Sequence, residues 1–292
     1  MKIIRKVLNR IARNQAIDPF PKRFIDNTKF LTDPLGYHDL IFSILISLNY
    51  KYVYVATPKV ANSTIKYSLI RLELDSSDFR FQKGENPHKR QYWPLLSPLS
   101  VPTFKEIVFS DEYFNFSFVR NPYSRLLASY LDKICRNQPE KRSILKTLNR
   151  NHRRLDQEVT FFDFVKAIGQ QSVHERDRHW LNQDTHNYIG RIDYDFVGHL
   201  ERFDEDIVEV FSHLKPGGEE YLQSAAGHAT KASSKLSDYF TQEILEIANT
   251  IYGSDFDTFG YELVTKLPRS EDEWSEAILP KRRSGRLEQM DN

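Results

Sequence analysis

The sequence holds a single cysteine, Cys135, among 292 residues. That excludes an intrachain disulfide and a cysteine-built zinc site, and it suits a chain kept in a reducing compartment. Charge surplus is lacking too. Forty-one basic residues face 40 acidic ones for a formal net charge of +1, so no global field draws nucleic acid and anion recognition must come from local clusters. The longest apolar stretch, Ile41 to Leu48, is interrupted by serines and falls far short of the ~20 residues a membrane span needs. An uninterrupted apolar core of the signal-peptide kind is missing from the N-terminus. There Ile3, Ile4, Val7, Leu8 and Ile11 share one helical face while Lys2, Arg5, Lys6, Arg10 and Arg13 lie elsewhere. This amphipathic pattern suits packing on the chain's own domain as well as resting on an anionic membrane surface. The expectation is a soluble, cytoplasmic protein with a peripheral membrane contact.

What is present is an ordinary globular composition, 40 % hydrophobic, enough for a sizeable core. Residues 51–56 (KYVYVA) are β-branched and aromatic at successive positions, the pattern of a strand covered on both faces in a parallel sheet. Ser63 to Glu73 follows as a helix. Pro87, Pro94, Pro98 and Pro102 make 75–103 an extended loop region. Phe116 to Val119 is a second buried strand, with Pro122 suited to the first turn of the next helix. A basic helix spans 140–154. Thr160 and Asp163 have capping-box spacing before the helix 160–171. Residues 194–200 form a third strand, 204–214 a helix, and 241–253 a helix with a Thr cap and a Gly stop. Alternating strands and helices predict one α/β domain with a central parallel sheet flanked by helices. The expected divisions are an N-terminal helical extension (1–49), the main domain (50–266) and a polar, mobile tail (267–292).

The segment "TPKVANST" (57–64) leaves the first strand and enters a helix, so backbone N–H groups and the positive end of the helix dipole converge on one spot beside Lys59 and two hydroxyls. It contains no glycine, and its lysine precedes the turn, unlike the nucleotide-kinase pattern. Alone it is compatible with Ser63 being a simple N-cap. A second segment, "FSFVRNPYSRLLASY" (116–130), ends another strand with Arg120 at its carboxyl end, where ligands of open α/β sheets bind.

Together the two segments resemble the sulfotransferase superfamily that uses 3′-phosphoadenosine 5′-phosphosulfate (PAPS), in particular its carbohydrate branch of Golgi-type and bacterial enzymes. "TPKVANST" is similar to that family's 5′-phosphosulfate loop and "RNPYSRLLASY" (120–130) to its 3′-phosphate motif. "HWLNQ" (179–183), "YDFVGHLERFDED" (194–206) and "YFTQEILEIANTIYGSDFDTFGY" (239–261) extend the resemblance, in order, over about residues 50–261. It implies a fold like that of P-loop kinases and in-line sulfuryl transfer to a hydroxyl of a carbohydrate or glycolipid, without a metal. By the same resemblance, Pro58, Lys59, Val60, Ala61, Asn62, Ser63 and Thr64 would hold the 5′-phosphosulfate and Lys59 would neutralise charge on the leaving phosphate. Arg120 would grip the 3′-phosphate, which its forked guanidinium suits. The family's serine lies eight residues after the arginine, but here that position is Ala128 and the serine is Ser129. One residue turns a helical side chain by about 100°, so Ser129 reaches the phosphate only if the helix start is adjusted. Arg125 could support the phosphate or pin the helix.

The acceptor hydroxyl needs a base. His88, in the Pro-bounded loop between the two cofactor segments, is the first candidate, as histidine titrates near neutral pH and related enzymes have a histidine in this region; His179, beside Trp180, is its competitor. His174, Asp177, His179 and His186 fit no metal-ligand spacing. Between 133 and 154, eight basic residues stand against one acid, and Arg142, Lys146, Arg150 and Arg154 would form one stripe on a continuous helix, facing either solvent or an anionic acceptor. Two other classes use such features: a small-molecule kinase, which should have a glycine-bearing loop and depend on Mg²⁺, and a non-catalytic glycan- or membrane-binding protein.

Overall fold

The computed structural model describes residues 20–31, 36–80, 94–223, 232–281 and 284–286. His88 and the amphipathic segment 2–13 lie outside them.

Four strands form one sheet in the order β1 (Ile44–Ser47), β2 (Tyr52–Val55), β3 (Phe114–Val119), β4 (Phe196–His199). β2, β3 and β4 run parallel, as the double-sided apolar runs predict. β1 pairs antiparallel with β2, so the sheet is mixed. The serine-interrupted run 41–48, placed by the sequence reading in a helical extension, supplies this strand. Its hydrophobicity did not distinguish a short buried strand from helix.

Side chains alternate across the sheet with a period of two. Val53, Val55, Val119 and Val197 face one core; Tyr52, Tyr54, Phe116, Phe118 and Phe196 face the other. The aliphatic side lies under α5 (Pro122–Ser129), α7 (Phe161–Gln170) and α11 (Gln242–Phe259), and the aromatic side under α3 (Asn62–Glu73) and α9 (Phe203–Leu214). Gly198 is required by this packing, because a Cβ there would stand 2.4 Å from the Phe118 ring. One backbone bridge lies on each sheet edge: Leu96 pairs with Ile46 on β1, and Gly285 with Val197 on β4.

Local signals set some helix ends. Asn121 caps α5 by accepting the Tyr123 N–H, with Pro122 at the first helical position. Thr160 and Asp163 form the expected capping box of α7. Three expectations differ from the structure. α6 spans only Lys141–Thr147, and Asn149 turns at φ 54°. Arg150 then pairs with Asp163 and Arg154 with Asp156, so the four basic residues form no continuous helical stripe. α11 runs past Gly253, kinking at Tyr252, and stops at Gly260, whose φ of 69° closes the helix. Finally, α12 (Glu271–Ala277) buries Trp274 completely, edge-on to Tyr123, within the segment expected to be a mobile tail. One apolar residue among acids is a weak pattern, yet one indole can bury as much surface as several small side chains.

Candidate active site

β2 and β3 are neighbours and parallel, so the loops leaving their carboxyl ends lie side by side. The first enters α3 and the second enters α5. Lys59 and Ala61 take left-handed backbone conformations, φ 73° and 57°, the geometry that glycines supply in phosphate loops. Each non-glycine residue held there costs about 1–2 kcal/mol. Two buried arginines hold the shape. Arg125 Nε donates to the Pro58 carbonyl at 3.1 Å, and an Arg120 terminal nitrogen donates to the Lys59 carbonyl at 3.3 Å. The loop runs into α3, which has no side-chain cap and no acid in its first turn. Asn62, Ser63 and Thr64 form that first turn.

Arg125 is fully enclosed; its other two nitrogens donate to the Leu181 and Arg178 carbonyls at 2.7 and 3.0 Å. All three nitrogens donate to backbone carbonyls. Arg120 differs. It is 8 % exposed, and its Nε donates to Ser124 Oγ at 2.8 Å and a terminal nitrogen to Ser233 Oγ at 3.1 Å. No described carboxylate pairs with it. The nearest acid influence, Glu201, spends its oxygens on the Asn121 N–H and the Tyr261 hydroxyl, and burial raises its pKa. Gln183 clamps the Arg120 backbone, accepting its N–H at 2.9 Å and donating to its carbonyl at 2.8 Å. A buried guanidinium held by two hydroxyls and one carbonyl, with no described carboxylate in an ion pair with it, can take an anion.

Lys59 Nζ is ion-paired with Asp132. Burial lowers the lysine's pKa while the Asp132 pair opposes that shift. Burial alone would raise Asp132, but Lys59, Lys133 and Arg136 outweigh it. Asp132 sits in a π-helical turn, Tyr130–Ile134, that continues α5, and such turns often re-aim side chains at functional sites.

The structure thus brings Pro58 and Lys59 together with Arg120 and Arg125 through hydrogen bonds between the two loops. Ser129 is placed elsewhere: its hydroxyl faces the Arg125 and His179 carbonyls at 3.0 and 2.5 Å. Ser124, one turn from the arginine, is the serine of this segment that touches Arg120. It lies inside the quoted motif, and its i,i+4 spacing from Arg120 was the available signal. Asp132 and Ser233 carried no comparable signal. His186 is buried, with Nε2 3.2 Å from the Ala56 carbonyl; burial depresses its pKa to about 3, so it stays neutral. Among the described residues, no three or more His, Cys, Asp or Glu side chains gather as a metal site would require.

Carbohydrate sulfotransferase 10 of Xenopus laevis is 28 % identical over 248 residues, covering 77 % of this chain and 68 % of its own. Carbohydrate sulfotransferase 14 of Danio rerio is 24 % identical over 276 residues, covering 90 % and 72 %. Its Homo sapiens counterpart is 27 % identical over 241 residues, covering 78 % and 62 %. No solved structure matches the chain. The family model described as "Sulfotransferase family" matches residues 43–262, which spans all four strands and the loops that follow β2 and β3, and the chain belongs to that family.

Proposed function

We propose that the protein transfers the sulfuryl group of PAPS to a hydroxyl of a carbohydrate or glycolipid. The observation that carries this reading is Arg120, buried without a carboxylate partner and tied through the Lys59 carbonyl to a second anion-binding loop. Two linked grips call for a ligand with two separated anionic groups, as PAPS has. Lys59, the N–H groups of residues 59–64 and the hydroxyls of Ser63 and Thr64 take the 5′-phosphosulfate. Arg120 takes the 3′-phosphate with Ser124 and Ser233 beside it, a place the sequence reading gave to Ser129. Lys59 and the loop amides stabilise charge developing on the leaving phosphate, and alignment of donor and acceptor supplies most of the remaining catalysis. The carbohydrate acceptor follows from the relatives. A histidine takes the acceptor's proton; His88 and His179 are the candidates, and only His179 lies among the described residues. Cytoplasmic placement with a membrane contact through residues 2–13 remains part of the proposal. No described helix is long and apolar enough to cross a membrane.

The test is transfer of labelled sulfate from PAPS to a panel of desulfated polysaccharides, neutral oligosaccharides and glycolipids, with and without a chelator, beside calorimetry against 3′-phosphoadenosine 5′-phosphate (PAP). We expect chelator-resistant transfer to at least one glycan. Lys59→Ala and Arg120→Ala should each lose PAP affinity. Undiminished affinity in both overturns the donor assignment, and Mg²⁺-dependent phosphoryl transfer from ATP would return the chain to the kinase class.

A further inference from the structure

A group of titratable side chains borders the loop of Lys59 without belonging to either anion grip. His179 Nδ1 stands 2.5 Å from Asp177 Oδ1, and the same oxygen accepts the His179 backbone N–H at 3.0 Å. With Asp177 ionised, Nδ1 bears the proton and donates it, so Nε2 is the lone-pair nitrogen. Nε2 has no hydrogen-bond partner among the described residues, and the side chain is 12 % exposed. The backbone under the ring is fixed by the Ser129 hydroxyl on the His179 carbonyl and by buried Trp180, whose Nε1 donates to Gln171 at 3.2 Å.

Alternating charges connect this dyad to the lysine of the phosphosulfate loop. Glu140 Oε1 is 4.0 Å from His179 Nδ1 and 2.8 Å from Lys133 Nζ. Lys133 Nζ is 3.6 Å from Asp132, which pairs with Lys59. Burial is the main cause holding His179 below its ordinary pKa, Lys133 and Lys59 lower it further, and Asp177 opposes them. Glu140 and His186 are the other titratable groups that act on the ring. At neutral pH the imidazole is uncharged.

We propose that His179, oriented by Asp177, is the catalytic base that receives the acceptor hydroxyl's proton. The proposal rests on the PAPS-dependent reading above and assigns one step within it. The acceptor oxygen forms a bond to the sulfuryl sulfur. The bond from sulfur to the 5′-phosphate oxygen breaks, and its electron pair leaves with PAP. The acceptor's proton goes to Nε2, giving an imidazolium that Asp177 and Glu140 stabilise until it returns the proton to water. Ser129, in this arrangement, is a positioning residue for the base.

The test uses the full chain with PAPS and the best glycan from the acceptor panel, comparing His179→Gln, His179→Ala, Asp177→Asn and His88→Ala for kcat, PAP affinity and thermal midpoint. The expected result is a loss of kcat of about a hundred- to ten-thousand-fold in both His179 variants, with PAP affinity within about twofold of the unmutated chain. Added imidazole should restore part of the activity of His179→Ala, which a purely structural role would not allow. Asp177→Asn should lose less kcat and shift the acidic limb of the kcat–pH profile. Near-normal kcat in His179→Gln overturns the proposal, as does a loss that travels with PAP affinity or thermal midpoint and resists imidazole. Abolished transfer in His88→Ala with intact PAP binding gives the proton to His88 instead. Absence of any transfer or PAP binding by the unmutated chain refutes the PAPS reading itself, which separates the two failures.

Discussion

Arg120 and Arg125 stand five residues apart on one motif, and both are buried, yet their replacement should produce opposite signatures. Arg125 spends Nε and both terminal nitrogens on three backbone carbonyls, of Pro58, Leu181 and Arg178. Arg125→Met removes the guanidinium and its desolvation cost but leaves three buried acceptors without donors. At about 1 kcal/mol net for each bond, the variant should lose about 3 kcal/mol of unfolding free energy. Its PAP affinity should fall only modestly, through the loosened Pro58 carbonyl. Arg120→Met strands one backbone acceptor, the Lys59 carbonyl, and two serine hydroxyls that can turn to other partners. It also relieves a buried charge without a described ion-pair partner. Its stability should therefore change by less than about 1 kcal/mol, while the loss of a charge-assisted bidentate contact should weaken PAP by about a hundredfold, or about 2.7 kcal/mol. Urea unfolding of both variants, with calorimetry against PAP, measures the four quantities. Equal destabilisation by the two substitutions, or stronger loss of PAP in Arg125→Met than in Arg120→Met, would refute the division between a pinning arginine and a binding one.

Three further outcomes follow from the same geometry. Ala61→Gly should stabilise the fold by about 1 kcal/mol, because Ala61 sits at φ 57° and glycine meets that conformation without strain; a destabilised variant in chemical denaturation would contradict the strained-loop account. Burial, aided by repulsion from Asp184, raises the pKa of Asp255 to about 7 against the opposing Gln183 and Asp184 N–H groups and Arg125. With the folded value above the unfolded one, its contribution is fully present below pH 4 and is lost as pH rises to about 7. The stability difference between the unmutated chain and Asp255→Asn should accordingly change by about 1.4 kcal/mol per pH unit in that window, and a flat difference would remove the shift. Trp274→Ala should cost about 3–5 kcal/mol, since the indole is wholly buried against Tyr123 and Phe240; a cost below about 1 kcal/mol in urea unfolding would restore the mobile tail.

The parts of the molecule that were legible in the sequence are those whose cause is local. Continuous apolar runs gave the parallel strands β2, β3 and β4, and the spacing of Thr160 and Asp163 gave a capping box before any contact was known. β1 was not legible, because three apolar residues between two serines fit helix and strand equally, and pairing with β2 decided between them. The end of α11 was misplaced for a related reason. Gly253 lies inside the helix without ending it, whereas Gly260 ends it by adopting a positive φ, and sequence alone does not assign φ.

The candidate site divides along the same line. Lys59 and Arg120 were legible because their strand–loop–helix settings place them at the carboxyl ends of adjacent strands. The loop's lack of glycine was also visible, but its explanation was not. The missing conformational freedom is replaced by force from outside the loop, from two arginines more than 60 residues away in sequence that hold its carbonyls. The exchange at 128 and 129 follows the same logic. With alanine eight residues after Arg120, the hydroxyl partner of the guanidinium moves to Ser124 at i+4, and Ser129, a quarter-turn round the helix from position 128, faces the His179 carbonyl. A one-residue shift in a motif thus leaves position 128 in the apolar core and turns the hydroxyl to the His179 carbonyl, an outcome that only the helix geometry and the partners on both faces determine.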